Sequence, residues 1–110
     1  MKQYDYLIVG ANLYGAVFAY EAARRNKTCL VIDRSDCISG EYASDIEERL
    51  VGIDVQMHTD YSAFMQANPS IADKTIVADM MDMAADEATS MEEIIRAALA
   101  AVKEEFDPMI

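Results

Sequence analysis

The residues with the clearest chemical potential are Gly10-Ala11-Asn12-Leu13-Tyr14-Gly15 and, further along the chain, Asp33. A glycine turn between a strand and a helix aims backbone N–H groups and the positive end of the helix dipole at one spot, which suits phosphate oxygens. In the G-x-G-x-x-G form of this turn each glycine has a mechanical task. The first makes the tight bend, the second lets a pyrophosphate touch the backbone, and the third lets helix and strand pack closely. Here Gly10 and Gly15 fill the first and third places, and Asn12 stands in the second. Asn accepts positive φ more readily than most residues, so the turn is expected to survive, with a side chain added where phosphates would approach. Asp33 closes the next apolar run, where a carboxylate accepts hydrogen bonds from an adenosine ribose. An Asp there can also simply end a strand and start a turn. The glycine turn upstream favours the ribose role.

Such a turn works only if a strand and a helix flank it. Residues 4–9 (Tyr-Asp-Tyr-Leu-Ile-Val) are rich in β-branched and aromatic side chains and read as a strand ending at Gly10. The Ala-rich residues 16–25 read as a helix, with Arg24 and Arg25 in its last turn and Asn26 as a left-handed stop. Residues 28–32 are almost wholly apolar, as a strand covered on both faces is. Together they form a strand–turn–helix–strand unit of the length of a mononucleotide-binding half. Residues 44–49 suit a short helix. Val51, Ile53, Val55 and Met57 alternate with polar or small residues in the manner of a half-buried strand, and residues 61–66 suit a helical turn or two before Asn68-Pro69. Residues 75–78 are a strand candidate. Met91, Ile94, Ile95, Ala98, Leu99, Val102 and Phe106 then share one helical face, with Ser90 and Glu93 as a capping box and Pro108 as the stop.

The chain has 110 residues, 53% of them hydrophobic, enough for one core and too few for separate cofactor and substrate domains. Its formal net charge of −11 argues against nucleic acid and against an anionic membrane surface as partners. The same charge opposes a dinucleotide, so any phosphate site must rest on local N–H groups and a helix N-terminus. Cys29 lies in an apolar run, and with Cys37 as the other cysteine no disulfide framework is implied and no metal spacing such as Cys-x-x-Cys is present. With a strand starting near Tyr4 there is no room for a leader, and no apolar run reaches spanning length, so a cytoplasmic protein is expected.

Several stretches together resemble the bacterial UDP-galactopyranose mutases. Tyr4-Asp5-Tyr6-Leu7-Ile8-Val9-Gly10 is similar to that family's opening strand, and Leu13-Tyr14-Gly15-Ala16-Val17-Phe18-Ala19 to its G-L-F-G-A-V-F-A turn and helix. Cys29-Leu30-Val31-Ile32-Asp33-Arg34-Ser35-Asp36-Cys37-Ile38-Ser39-Gly40 resembles its C-L-V-I-D-K-R-D-H-I-G-G segment. Gly52-Ile53-Asp54-Val55 and Met57-His58-Thr59 resemble later pieces more loosely. Residues 91–99 resemble the family's closing helix, which would set Met81-Asp82-Met83 where it has G-R-L. The resemblance implies an α/β fold: a small Rossmann-like three-layer domain of the FAD/NAD(P)-binding type, with a short, mainly parallel sheet and residues 28–32 and 75–78 on either side of residues 4–9. It implies residues 1–110 as a single, truncated FAD-binding domain, with the family's middle region missing.

The family is one of flavin-dependent isomerases in which reduced FAD attacks the sugar. Carried over residue by residue, the cofactor-binding positions are Gly10, Ala11, Asn12, Leu13, Tyr14, Gly15, Asp33, Arg34, Ser39 and Gly40, with FAD as cofactor. Departures weaken or abolish that binding. Asn12 replaces a glycine, Ser39 replaces the first glycine of a pair, Glu41 replaces an Asn, and Asp82 stands where the family has Arg. The groups that hold UDP belong to the missing middle, so neither UDP-sugar binding nor catalysis by this chain alone is expected. The alternative function is a non-binding Rossmann-like structural or interaction module, and the edges of a half-size sheet leave room for a homodimer. Elsewhere the chain reads plainly. His58 has no nearby nucleophile or metal partner in the sequence, Asp82, Asp86 and Glu87 read as an acidic solvated loop rather than a metal site, Met80, Met81 and Met83 read as core or adaptable contact surface, and Ser35, Ser39 and Ser44 have no base partner.

Overall fold

Tyr6-Leu7-Ile8-Val9 and Cys29-Leu30-Val31-Ile32 are apolar at every position, and strands of that kind need cover on both faces. The computed structural model, which describes residues 3–71, 75–81 and 90–106, gives them that cover. Strand β1 (Tyr6–Val9) leads into helix α1 (Leu13–Arg24), then β2 (Cys29–Ile32), α2 (Ala43–Arg49), β3 (Asp54–Gln56), α3 (Tyr61–Ala67), β4 (Ile76–Asp79) and α4 (Met91–Phe106). The four strands form one parallel sheet in the order β3-β2-β1-β4. Its register sets Val9 between Ile32 and Asp79, so the strand ends that face the site lie level. The small three-layer α/β domain with a parallel sheet, expected from the sequence, is the fold observed, and β2 and β4 flank β1 as expected.

Alternation along the strands divides the core into two layers. Tyr6, Ile8, Cys29 and Val31 face α1, α2 and α4, where they meet Val17, Phe18, Ile46, Ile94 and Val102. Leu7, Val9, Leu30 and Ile32 face the other way, against Phe64 of α3 and Ile71. Ala16, Ala19 and Ala22 are fully buried, and their small side chains let α1 lie close to the sheet. Three rings bind the first strand to the last helix. Tyr6 meets Phe18 and Phe106 edge-on at centroid distances of 5.6 and 5.4 Å, and its hydroxyl donates to Glu105 Oε1 at 2.9 Å.

Some boundaries differ from the sequence reading. Helix α1 starts at Leu13 rather than residue 16, because Asn12 caps it. The alternating stretch 51–57 pairs only over Asp54–Gln56, since Gly52 turns at φ +81° and Val51 is 80% exposed. Strand β4 runs one residue later than expected, a shift small enough to keep its pairing with β1. Asn26 does adopt the left-handed stop, at φ 61°. Ser90 Oγ accepts from the Glu93 N–H at 3.2 Å, as a capping serine does. The expectations for Asp82, Met83, Asp86, Glu87 and Pro108 fall outside the described residues. Among the described residues no helix is long and apolar enough to cross a membrane.

Burial first, and the Glu105 carboxylate second, push the Tyr6 hydroxyl from its ordinary 10 up to about 12. Tyr4 is raised to about 12 as well, chiefly by its hydrogen bond to Asp54. A hydroxyl whose folded-state pKa is raised supports the fold fully below the unfolded value, and that support is lost as pH climbs through the folded value. Thermal unfolding is therefore expected to show Tm falling as pH rises from 10 toward 12. Tyr6→Phe lowers stability near neutral pH by about 1 kcal/mol and flattens part of the alkaline slope. A Tm gap between parent and Tyr6→Phe that stays constant across that window rules out Tyr6 as a source of the slope.

Candidate functional site

Gly10, the first residue past β1, adopts φ +122°, a conformation that only glycine holds without strain. The chain turns there and enters α1, where Gly15 lies against the turn it has just made. A Cβ on Gly15 would stand 1.9 Å from the Gly10 carbonyl oxygen, a contact that no side chain survives. These two glycines perform the first and third tasks of the motif. They do so from behind the site, shaping the turn rather than lining the cleft.

Asn12 does not take the positive φ expected of it. Its backbone is extended, at φ −109°, and it is the N-cap of α1. Its Oδ1 accepts from the Gly15 N–H at 2.8 Å, and its Nδ2 donates to the Met80 carbonyl at 3.1 Å. The side chain thus occupies one of the first-turn donors and ties the turn to the segment just past β4. The N–H groups of Leu13 and Tyr14 belong to the same open helix end, where no intrahelical acceptor precedes them.

Asp33 emerges from β2 beside this turn and is 7% exposed. Its Oδ2 accepts from the Ala11 N–H at 2.8 Å, and its Oδ1 from the Ser35 N–H at 2.9 Å. The chain then passes Cys37, Ser39, Gly40 at φ +96° and Glu41 before entering α2. The result is a cleft of about 280 Å³ walled by Ala11, Asn12, Leu13, Tyr14, Asp33, Ser39 and Gly40 among the expected site residues. Ser35, Cys37, Glu41, Tyr42, Ile46 and Ile94 complete it. Glu41 therefore adds a negative charge to the wall, as its place in the sequence suggests. Arg34 sits elsewhere, in a neighbouring cleft of about 260 Å³ with Val9, Thr59, Asp60, Tyr61 and Met81. Asp33 borders both.

Sequence reasoning did not assign Ser35, Cys37 or Tyr42 to the site, and it could not have reached the Met80 carbonyl, Ile46 of α2 or Ile94 of α4. A backbone acceptor carries no residue signature, and an isoleucine on an apolar helix face is indistinguishable from any other core residue. His58 lies outside the cleft. It holds φ 55°, its N–H donates to the Ser35 carbonyl at 2.8 Å, and its ring Nδ1 pairs with the Asp36 carboxylate in full solvent. Cys29 is buried and its thiol pushed up to about 11, chiefly by that burial, whereas Cys37 is exposed. Among the described residues no group of three or more His, Cys, Asp or Glu could hold a metal ion.

A strand, a glycine turn, a helix N-terminus and a carboxylate at the end of the next strand can bind an anion beside a sugar. Comparison with known families agrees: the model of the NAD(P)-binding Rossmann-like domain matches residues 8–71, more than half of the chain. The close approach at Gly15 yields a direct expectation. Gly15→Ala forces α1 away from β1 and lowers stability by at least about 3 kcal/mol, read by denaturant or thermal unfolding. Asn12→Ala, which removes only the cap, lowers it by about 1 kcal/mol. Equal effects for the two variants contradict the geometry.

Proposed function

We propose that this chain, which belongs to the family of NAD(P)-binding Rossmann-like domains, is a dinucleotide-binding module that holds the adenosine end of FAD between the glycine turn and Asp33. The observation that carries this reading is the Asp33 carboxylate, buried at the turn and bonded to the Ala11 N–H in the wall of a cleft that the helix N-terminus also opens into. A carboxylate offers about four acceptor sites, and the two backbone bonds leave capacity for ribose hydroxyls. A volume of about 280 Å³ lies at the lower bound for ligand pockets, suited to half a dinucleotide rather than the whole.

The residues present fit the group. Asp33 would take the ribose, the Leu13 and Tyr14 N–H groups the nearer phosphate, and Ser39 and Gly40 the rim. FAD is preferred over a nicotinamide dinucleotide because of the likeness of residues 4–40 to the UDP-galactopyranose mutases. When bound, FAD supplies a reducible ring able to act as a nucleophile. The chain's own part is to hold and orient the adenosine end. No residue of the chain resembles those with which the mutases grip UDP, so the proposal stops at the cofactor and assigns no sugar isomerisation to this chain alone.

A second reading is a structural or interaction module without a ligand. It is favoured by the internal bonds of the turn, in which Asn12 caps Gly15 and both Asp33 oxygens accept backbone N–H groups. Thermal unfolding and calorimetric titration with FAD, ADP and NAD⁺ separate the two. The first reading expects saturable binding of FAD and ADP with Kd on the order of 100 μM, and weaker binding of NAD⁺. At ten times Kd the ligand adds roughly 1.4 kcal/mol, or about 6 °C in Tm for a domain of this size. The absence of any shift at millimolar FAD and ADP selects the second reading.

A further inference from the structure

We infer that Asn12 is a specificity-determining residue whose carboxamide fills one of the donor places that a phosphate would use at the start of α1, so that in the parent protein the diphosphate adds little to the affinity for adenosine. The inference rests on the nucleotide reading above and concerns the same cleft.

Its basis is a set of hydrogen bonds that use one side chain at both ends. The Asn12 Oδ1 accepts from the Gly15 N–H at 2.8 Å, filling the place at the start of α1 where a phosphate oxygen would accept. The Nδ2 donates to the Met80 carbonyl at 3.1 Å, which fixes the amide plane and prevents the oxygen from simply swinging aside. A Cβ on Gly10 would lie 3.2 Å from that same Nδ2, so the amide is packed against the turn as well as bonded to it. Displacing the carboxamide therefore breaks two hydrogen bonds before a phosphate makes one. Glu41 in the wall adds a like charge, and among the described residues no cationic side chain lines the cleft; Arg34 lines the neighbouring one. At the ribose end Asp33 lines the cleft, held by two backbone donors that leave part of its acceptor capacity unused.

The test compares adenosine, AMP and ADP by calorimetric titration of the parent, Asn12→Gly and Asn12→Ala, together with hydrogen exchange of the Gly15 amide in the ligand-free proteins. In the parent, adenosine and ADP are expected to bind within about threefold of one another, and the Gly15 amide to be protected. In both variants the Gly15 amide is expected to exchange faster. ADP is expected to gain on the order of tenfold to a hundredfold, the worth of one charge-assisted hydrogen bond, while adenosine is unchanged. An ADP affinity in the parent already tenfold or more above that of adenosine overturns the inference. So does an equal gain for adenosine and ADP in the variants, or an unprotected Gly15 amide in the parent. If adenosine binds but neither variant gains for ADP, only the role of Asn12 falls. If no nucleotide binds parent or variants, the nucleotide reading falls and takes this inference with it.

Discussion

The constraint on which the rest of the fold depends is the approach of Gly15 to the Gly10 carbonyl, where a Cβ would lie 1.9 Å from the oxygen. Because that carbon is missing, α1 can begin directly against the end of β1 and run back over the sheet. Its fully buried alanines, Ala16, Ala19 and Ala22, continue the close approach along the helix. With α1 seated, Phe18 reaches Tyr6, and α4 packs across α1, its most extensive partner among the helices. Ile94 of α4 then closes the end of the cleft beside the turn. Site and core thus share one piece of geometry, and a change at Gly15 disturbs both.

Charge is handled locally. With a formal net charge of −11 the chain as a whole repels anions. At the turn, a nearly buried carboxylate is held by two backbone N–H groups, and a neutral amide occupies the helix end. Among the described residues it is backbone dipoles that hold Asp33 there. The same arrangement leaves the cleft with acceptors for hydroxyl groups and few means of neutralising phosphates.

How much of this was legible depends on where each signal resides. Strands β1 and β2 could be read because burial on both faces makes every residue apolar, and α4 because its apolar residues keep helical spacing over sixteen residues. The pairing of Gly10 with Gly15 and the position of Asp33 were also legible, since the first two depend on a missing side chain and the third on a carboxylate at a strand end. The role of Asn12 was only half legible. Its type suits an N-cap as well as a positive φ, and the choice between them is made by the Met80 carbonyl, 68 residues away. The extent of β3 was obscured for a similar reason: alternation continues through Val51, but the backbone bends at Gly52 and leaves Val51 in solvent.

The bond from the Tyr6 hydroxyl to Glu105 spans 99 residues and joins the first strand to the last helix. A ribosome delivers the chain from its N-terminus, so β1, α1 and β2 emerge long before α4 exists to cover them. Throughout that interval Phe18 and the apolar side of α1 lack the helix that will bury them. Those elements must therefore wait, partly assembled, for α4. Late docking of this kind is what long sequence separation between contacts imposes on folding.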